Sequence, residues 1–354
     1  MTKSPKEIND QLPSARSPTV RPLKVAAFTC GADIPGARFR VRQYIPALAR
    51  AGIAVDESWP GLGAYPPKTG WIRPAWLAGT VVQRFPQVAK GWSADLNWIY
   101  REMVSTLVTL EGLTRRPRLL DIDDSVHLHR DGRTARRLAK LVDGVVVANS
   151  FLAETWRQWN PEVEILPMGI DADHYVPVPV PEKPVIGWLG GPANTPYLEK
   201  IAPALAEVAR RFPDASIAVC SERRPNLGRL PITFVPWSAA VEKPFLASLT
   251  VGLAPIEDSD WGRGKFSYKL LQYMASGRPC VASPVGTNRE LLAKAPIGLP
   301  ASTDAEWVEA ISTIVAERRT AEQMGTAARE LAVSEYSIEA LAPRLAGIIR
   351  RYAR

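Results

Sequence analysis

Short apolar runs alternate with amphipathic segments from residue 23 onward. The run LKVAAFTC at 23–30 is apolar enough for a buried strand, and the loop GADIPGARFR follows it. The segment VRQYIPALARAG at 41–52 carries apolar residues at helical spacing and stops at Gly52, before the strand-like IAVDES. This order of strand, loop, helix and strand predicts the start of a parallel α/β sheet.

The same alternation predicts a first domain over residues 23–175. An irregular stretch is expected at 59–94, and strand-like and helical segments alternate behind it. The strand-like segments are DLNWIYRE, RLLDIDD, GVVVANS and VEILPMGID, and the helical ones are MVSTLVTLEGL, TARRLAKLVD and FLAETWRQW. Residues 1–22 are polar, and we expect a disordered lead-in there. The proline-rich VPVPVPEKP at 176–184 cannot continue a sheet interior, which indicates a linker.

A second α/β series predicts another domain over residues 185–335. Its strand-like segments are VIGWLGG, SIAVCS, ITFVPW, LTVGLAPI and PCVASPVG. The last segment, 336–354, has one apolar helical face, which we expect to pack back on the first domain. The predicted fold class is therefore α/β, with two doubly wound Rossmann-like domains facing across a cleft. Ligands of such sheets bind beyond the carboxyl ends of the strands, so the loops there are the candidates for chemistry.

Composition narrows the class of protein. Of the 354 residues, 46% are hydrophobic and 23% are charged, which is typical of a soluble globular chain. The cysteines Cys30, Cys220 and Cys280 lie far apart, so we expect reduced thiols in a cytoplasmic protein without a metal cluster. No run of about 18 apolar residues predicts a membrane span. The net charge of +8 suits anionic substrates or an anionic membrane surface and is too small to predict nucleic-acid binding.

The segment WGRGKFSYKL at 261–270 alternates two glycines with two cations in front of a predicted helix. Arg263 and Lys265 supply positive charge, and Gly264 lets the backbone approach a ligand closely. The helix start near 266–268 offers free N–H groups, so the segment predicts a phosphate site. The alternative is a solvated basic loop before a core helix. The preceding EDSD could pair with Arg263 or with a substrate hydroxyl.

A glycine pair follows the first strand of the second domain. Gly190 and Gly191, in WLGGPANT, form a tight loop where a pyrophosphate could meet backbone amides. This loop lacks the G-x-G-x-x-G fingerprint, and GADIPG lacks the Lys-Ser/Thr of a P-loop. Neither a nicotinamide-dependent dehydrogenase nor a P-loop nucleotidase is therefore predicted.

The loop DIDDSVHL carries three acids at a strand end. Asp121, Asp123 and Asp124 have the outline of an Asp-x-Asp site, and hard divalent cations prefer carboxylate ligands. The same acids could instead cap the next segment and pair with Arg130 or Arg133. A carboxylate that faces a cleft is also a candidate base or partner of a substrate hydroxyl. Asp123 is our catalytic candidate, and no metal is predicted.

Basic and aromatic side chains suggest further contacts. Arg38 and Arg42 share a face of the first predicted helix and could contact an anionic acceptor or be solvated. The segment RTARRLAK carries a basic stripe: Arg133, Arg136, Arg137 and Lys140. This stripe fits an anionic lipid surface or a solvated face. Trp237 is a candidate for contact with a nucleobase, with core packing as the alternative.

Two long stretches carry a resemblance to a known family. ILPMGIDADHYVP at the domain junction is similar to a Pro-Asn-Gly-Ile-Asp hinge strand. WGRGKFSYKLLQYMASGRPCVASPVGTNREL resembles a bacterial subgroup with a Trp-x-Arg-Gly-Lys loop before the donor-binding helix, and IGWLGGPANTPYL and DIDDSVHL also resemble it. Over residues 23–352 the chain thus resembles family four of the retaining glycosyltransferases, which have the GT-B fold.

The resemblance implies a nucleotide-diphosphate-sugar donor on the second domain, an acceptor facing the first, and retention at the anomeric carbon. It implies no obligatory metal and no cofactor beyond the donor substrate. By position, it assigns the donor diphosphate to Arg263, Lys265, Gly190 and Gly191, and the ribose and base to Gln272 and Trp237. Asp123 falls where many members carry a histidine near the reacting sugar, and Arg38 and Arg42 lie on the acceptor side.

The chain departs from the family at its Glu-x(7)-Glu pattern. Gly264 and Gln272 occupy the two glutamate positions. Gln272 retains the ability to hydrogen-bond a ribose hydroxyl, whereas Gly264 offers no carboxylate.

The expected function is transfer of a sugar to a polysaccharide, glycolipid or related acceptor in the cytoplasm, with the inner membrane face as a further candidate partner. One rival is a nucleotide-sugar epimerase of the same fold, which would need acids and a histidine for proton transfer. The other is a non-catalytic nucleotide-sugar-binding protein, motivated by the missing first glutamate. A GT-A transferase would need Mn²⁺ at Asp121 and Asp123.

Overall fold

The computed structural model describes residues 21–32 and 34–353; the predicted lead-in at 1–22 therefore lies outside the described residues except for its last two. The strands of the first sheet are β1 (Leu23–Phe28), β2 (Ile53–Ser58), β3 (Leu96–Tyr100), β4 (Arg118–Ile122), β5 (Gly144–Val147) and β6 (Val163–Ile165). The accompanying helices are α1 (Pro35–Arg40), α2 (Ile45–Arg50), α3 (Arg73–Gly91), α4 (Arg133–Leu141) and α5 (Ser150–Arg157).

The second sheet follows the proline-rich segment. Its strands are β7 (Val185–Leu189), β8 (Ser216–Ser221), β9 (Thr233–Pro236), β10 (Val251–Ala254), β11 (Cys280–Ala282) and β12 (Gly298–Pro300). The remaining helices are α6 (Thr195–Lys200), α7 (Ala202–Arg211), α8 (Ala239–Ala247), α9 (Asp260–Gly264), α10 (Tyr268–Ala275), α11 (Thr287–Lys294), α12 (Asp304–Ala316), α13 (Arg318–Tyr336) and α14 (Ile338–Tyr352).

Both sheets are parallel throughout and have six strands each. Their orders are β2-β1-β3-β4-β5-β6 and β12-β11-β10-β7-β8-β9. In each sheet the order reverses beside the first strand of its domain, so a crevice opens there at the carboxyl ends of the strands. These findings confirm the predicted α/β class with two doubly wound domains.

Alternation along the strands gives the first sheet two covered faces. Phe28 of β1 packs in a core shared with α3, α4 and α5, whereas the preceding Ala27 faces α1, α2 and α14. The last helix therefore belongs to the packing of the first domain although it follows the second. Ser337 starts this helix by accepting a hydrogen bond from the Ala340 N–H at 3.1 Å.

A buried ion pair joins α1 to β4. The Arg40 side chain lies 2.7 Å from an Asp121 carboxylate oxygen, and both side chains are almost fully buried. Arg40 also donates to the Leu166 carbonyl, and the Trp98 indole donates to Asp121 at 3.2 Å. Breaking such a pair leaves an uncompensated buried charge, so it fixes the position of the loops that follow β1 and β4.

Two local predictions were wrong. The stretch 59–94 contains the 19-residue helix α3, because Pro74 lies in its first turn, where a missing N–H costs little, and Val88 anchors one face in the core. The expected helix at 103–113 is a set of turns, because the buried Glu111 carboxylate accepts the Met103 N–H at 2.8 Å.

Among the described residues, no helix combines the length and apolar character needed to cross a bilayer.

Candidate active site

A cleft of about 920 Å³ separates the carboxyl ends of the two sheets. The loops after β1 and β4 form one wall, and the loops after β7 and β10 form the other. The first-domain wall includes Gly36, Arg38, Asp123 and Asp124, and the second-domain wall includes Gly190, Gly191, Trp237, Lys265 and Gln272. The structure therefore brings together most of the residues that the sequence analysis selected, although they come from distant segments.

Asp123 is held rigidly at the end of β4. Its side chain is buried, and the Tyr100 hydroxyl donates to its carboxylate at 2.9 Å. Burial and the charge of Asp123 raise the pKa of Tyr100 far above its usual range, so the phenol keeps the proton that it donates. Gly36 closes over this pair, since a Cβ there would lie 1.7 Å from the Tyr100 hydroxyl oxygen. The other face of the Asp123 carboxylate is left for the cleft.

The neighbouring acids, Asp121 and Asp124, have different surroundings. Asp121 lies deeper in β4, where it pairs with Arg40, and it does not line the cleft. Asp124 lines the cleft, and burial, followed by the charge of Asp123, raises its pKa to about 6. Arg101 lies 3.9 Å from Asp124 and opposes this shift. Among the described residues no three acid, histidine or cysteine side chains are grouped to hold a metal ion.

Lys265 is the cation of the opposite wall. It follows α9 directly, and its ammonium donates to the Asn194 side-chain oxygen at 2.7 Å. Asn194 belongs to the WLGGPANT loop after β7, so this bond joins the two predicted phosphate-binding segments. Burial lowers the pKa of Lys265, and the charges of Asp124 and Asp123 partly restore it.

The glycine loop presents open backbone beside that lysine. A Cβ built on Gly191 meets nothing within 4 Å, whereas one on Gly190 would strike the Trp188 ring at 2.6 Å. Gly190 is therefore required by packing, and Gly191 leaves room for a ligand to approach the main chain.

Lys269 is a cleft residue that the sequence analysis missed. It lies in the first turn of α10, four residues after Lys265, and its ammonium stands 4.7 Å from the centre of the Trp188 ring. Burial, followed by the charge of Lys265, lowers the pKa of Lys269 to about 7. The i, i+4 spacing from Lys265 was the available signal. The start of α10 also lines the cleft, although the Tyr268 N–H already donates to the Phe266 carbonyl at 2.9 Å.

Arg263 does not share the wall with Lys265, which corrects the predicted pairing. Its guanidinium lies 2.6 Å from Asp258 and 3.8 Å from Asp260, and its side chain is about half exposed. The short helix α9 turns Arg263 toward these acids and directs Lys265 to the cleft. The EDSD segment therefore neutralises the arginine, and Arg263 is absent from the cleft lining.

Arg42 also lies away from the cleft. It makes a bidentate pair with Glu57 at 2.7 and 2.9 Å and donates to the Ala32 carbonyl. The helix α1 ends at Arg40, so Arg42 does not continue the face of Arg38. Of the two predicted acceptor-side arginines, only Arg38 lines the cleft.

Gly264 lies at a tight contact between the domains. A Cβ on Gly264 would lie 1.9 Å from the Ser125 hydroxyl oxygen, and that hydroxyl donates to the Asp260 carbonyl at 2.8 Å. Asn149 adds a second bridge by donating to the Arg263 carbonyl at 3.1 Å. The position therefore has no room for a glutamate side chain.

A hydrogen-bonded network closes the other end of the cleft. Gln272 donates to the Tyr175 hydroxyl at 3.4 Å, and this hydroxyl donates to Glu242 at 2.8 Å. The indole of the partly exposed Trp237 donates to the same Glu242 carboxylate at 3.1 Å. Gln272 and Trp237 are thus linked through Tyr175 and Glu242, neither of which was selected from the sequence.

Comparison with known proteins gives a family match over part of the chain and solved structures of the same fold. Residues 183–317 match the family described as Glycosyl transferases group 1. Sucrose-phosphate synthase from Thermosynechococcus elongatus superposes with a TM-score of 0.75 at 19% identity, covering 93% of this chain and 98% of that chain. No curated protein sequence matches the chain.

Two further solved structures share the architecture. HepE from Anabaena in complex with UDP and glucose superposes with a TM-score of 0.68 at 14% identity, covering 93% of this chain and 100% of that one. WaaG, a glycosyltransferase involved in lipopolysaccharide biosynthesis, gives 0.64 at 15% identity, covering 92% and 99%. The fold is therefore GT-B, and residues 183–317 of the second domain are similar to the group 1 glycosyltransferases.

The tight contact at Gly264 yields a stability prediction. Gly264→Glu restores the family residue but forces the side chain into Ser125, so we expect unfolding to become easier by about 1–3 kcal/mol. The matched control is Gly191→Ala, which adds a methyl group to open space and should change stability little. Thermal unfolding of both variants measures the difference. Equal melting temperatures for Gly264→Glu and the wild type would show that the domains are not packed at this point.

Proposed function

We propose that the protein transfers a sugar from a nucleotide-diphosphate-sugar donor to a polysaccharide, glycolipid or related acceptor, with retention at the anomeric carbon. The observation that carries this proposal is the cationic wall of Lys265 and Lys269 beside the open backbone of Gly191, opposite the fixed carboxylate of Asp123. The group 1 family match supports glycosyl transfer, and the HepE structures with UDP and UDP-glucose support this donor class.

The proposed chemistry is electrostatic on the donor side. The leaving diphosphate gains negative charge as the glycosidic bond breaks, so cations that are already in place stabilise the transition state. Lys265 supplies that charge, Lys269 adds to it in its protonated form, and the positive end of α10 contributes as well. These groups neutralise a diphosphate without a metal ion.

The other cleft residues position the substrates. Asp123 accepts a hydrogen bond from a sugar or acceptor hydroxyl, and Tyr100 fixes its orientation. Gln272 and Trp237 contact the ribose and base at the end of the cleft, and Arg38 faces the acceptor. The three free cysteines fit a reducing compartment, and we propose the cytoplasm.

A non-catalytic nucleotide-sugar-binding protein is the second candidate. The filled space at Gly264 favours it, because the carboxylate of the family pattern is absent there. Donor binding without transfer or hydrolysis across an acceptor panel would establish this alternative. The epimerase is less favoured, because none of His127, His129 and His174 lines the cleft.

Substituting each of the two cations of the WGRGK segment in turn tests whether the segment binds the donor or is only a solvated loop. Lys265→Ala removes a charge-assisted bond to phosphate, so we expect donor affinity to fall by about tenfold to a hundredfold. Arg263→Ala is the matched control, because Arg263 lies outside the cleft and should leave affinity nearly unchanged. Calorimetry with the best binder among UDP-, GDP- and ADP-sugars measures both. Equal losses, or a larger loss at Arg263, would contradict the assignment.

Donor binding should also depend on pH through Lys269. The pKa of Lys269 is about 7 in the free protein, and a bound diphosphate raises it because it favours the ammonium. Above that pH, binding therefore takes up a proton and affinity falls as pH rises; at lower pH the ammonium is charged in both states and the coupling disappears. Calorimetry at about pH 8 in buffers of different ionisation enthalpy measures the uptake.

The matched variants for this pH test are two lysine replacements. Lys269→Met should abolish the proton uptake, whereas replacing the exposed Lys200 by Met should leave it intact. Uptake that persists in Lys269→Met would exclude Lys269 as its source.

A further inference from the structure

The outer face of α3 is apolar along the whole helix. Exposed apolar residues recur at helical spacing along it and at the residue that follows it: Ala75, Ala78, Val82, Phe85, Ala89 and Trp92. Val82, Phe85 and Trp92 are 65%, 51% and 59% exposed. A continuous exposed apolar face of this kind marks an interaction site more often than a solvated surface. We call these six residues the α3 outer face.

The chain interval that contains this face carries only basic charge, although Lys90 pairs with the exposed Asp56 just before the interval. The sequence between Glu57 and Asp95 contains no acidic residue. The exposed charges in that interval are all basic: Lys68, Arg73 and Lys90. Trp71, just before the helix, and Trp92, just after it, place aromatic rings at both ends, which is the side-chain type favoured at a membrane–water interface.

A basic stripe lies on the same side of the first sheet. Val88 of α3 and Leu138 of α4 are buried in one core, so both helices cover the same sheet face. The exposed Leu113 lies next to the α3 outer face, since the Trp92 indole donates to its carbonyl at 2.9 Å. The exposed residues of α4 beyond it are all cationic: Arg133, Arg136, Arg137 and Lys140. The α4 stripe supplies charge without apolar surface, and the α3 outer face supplies the apolar surface.

We infer that the α3 outer face docks on the surface of an anionic phospholipid bilayer, with the α4 stripe contacting the headgroups. An interfacial helix binds through buried apolar area combined with attraction between basic side chains and anionic lipid. Both elements are present on one side of this domain. The interval 58–94 contributes no acid that anionic headgroups would repel, and the nearby exposed acids Asp56 and Asp131 are paired with Lys90 and Arg133.

The docking surface adjoins the cleft. The loop that leads into α3 contains Ala64, whose Cβ lies 3.8 Å from the position of a Cβ built on Gly31. Ala32, which follows Gly31 in the chain, lines the cleft. A membrane-anchored acceptor would therefore reach Asp123 from this side. This consequence rests on the proposed function, whereas binding to the bilayer does not.

Vesicle flotation without any nucleotide tests the inference. Wild-type protein should float with vesicles of phosphatidylglycerol mixed with phosphatidylcholine and bind phosphatidylcholine alone more weakly. The double variant Val82→Ser/Phe85→Ser should lower the partition coefficient about tenfold or more, because two apolar side chains no longer insert. The matched control is Val176→Ser/Val333→Ser, which replaces exposed valines elsewhere on the chain and should bind like wild type.

A charge variant separates the two parts of the surface. Arg137→Gln/Lys140→Gln on α4 should weaken the preference for anionic vesicles and leave the binding to phosphatidylcholine through α3 nearly unchanged. The inference is overturned if wild type stays unbound, or if the α3 and control variants float equally. It is also overturned if wild type is a dimer that Val82→Ser/Phe85→Ser converts to monomer without vesicle binding, because the face would then belong to a second copy. Because the flotation assay contains no nucleotide, a failure of the chain to bind a nucleotide-sugar donor would not change its result.

Discussion

The contact between Gly264 and Ser125 sets the separation of the two domains, and the cleft depends on it. The glycine lets the backbone of the second domain approach the first within side-chain distance, and Asn149 bridges the same boundary. Lys265 is the next residue in the chain. The close approach of the two domains that excludes a side chain at Gly264 therefore also places the Lys265 ammonium opposite Asp124. The stacked rings of Phe39 and Tyr268, with centroids 3.7 Å apart, add a second contact across the cleft.

The cleft holds two buried lysines whose positive charge a bound diphosphate would balance. The Lys265 ammonium donates a hydrogen bond to Asn194 and lies near the acids of the opposite wall. Lys269 has no salt bridge in the described part of the chain, and its ammonium lies over the Trp188 ring. Burial lowers the pKa of both lysines, to about 7 for Lys269, so an incoming diphosphate restores charge that the free protein suppresses at Lys269. Binding energy and proton uptake are therefore coupled at the same helix start.

Periodicity predicted the two domains and the loops that carry the cleft, because parallel strands are short apolar runs and their carboxyl ends share an edge. It failed where a few side chains decide the local structure. The helix α3 was hidden by its prolines, and the turns at 103–113 are stabilised by the Glu111 carboxylate, which no periodicity reveals.

Side-chain direction was the second limit. Arg263 and Lys265 are two residues apart, yet neighbouring acids bind one and the cleft receives the other. Arg42 was expected beside Arg38, but α1 ends at Arg40 and Glu57 binds Arg42 instead. Such partners lie far away in sequence or depend on where a helix stops, so they become visible only in three dimensions.

The structure of the chain with UDP-glucose bound tests the central claim most directly. The donor site at Lys265 predicts a diphosphate oxygen within about 2.7–3.2 Å of the Lys265 ammonium, with the diphosphate beside Gly191 at the start of α10. A diphosphate held by Arg263 outside the cleft, or a nucleotide bound at any other surface, would contradict it.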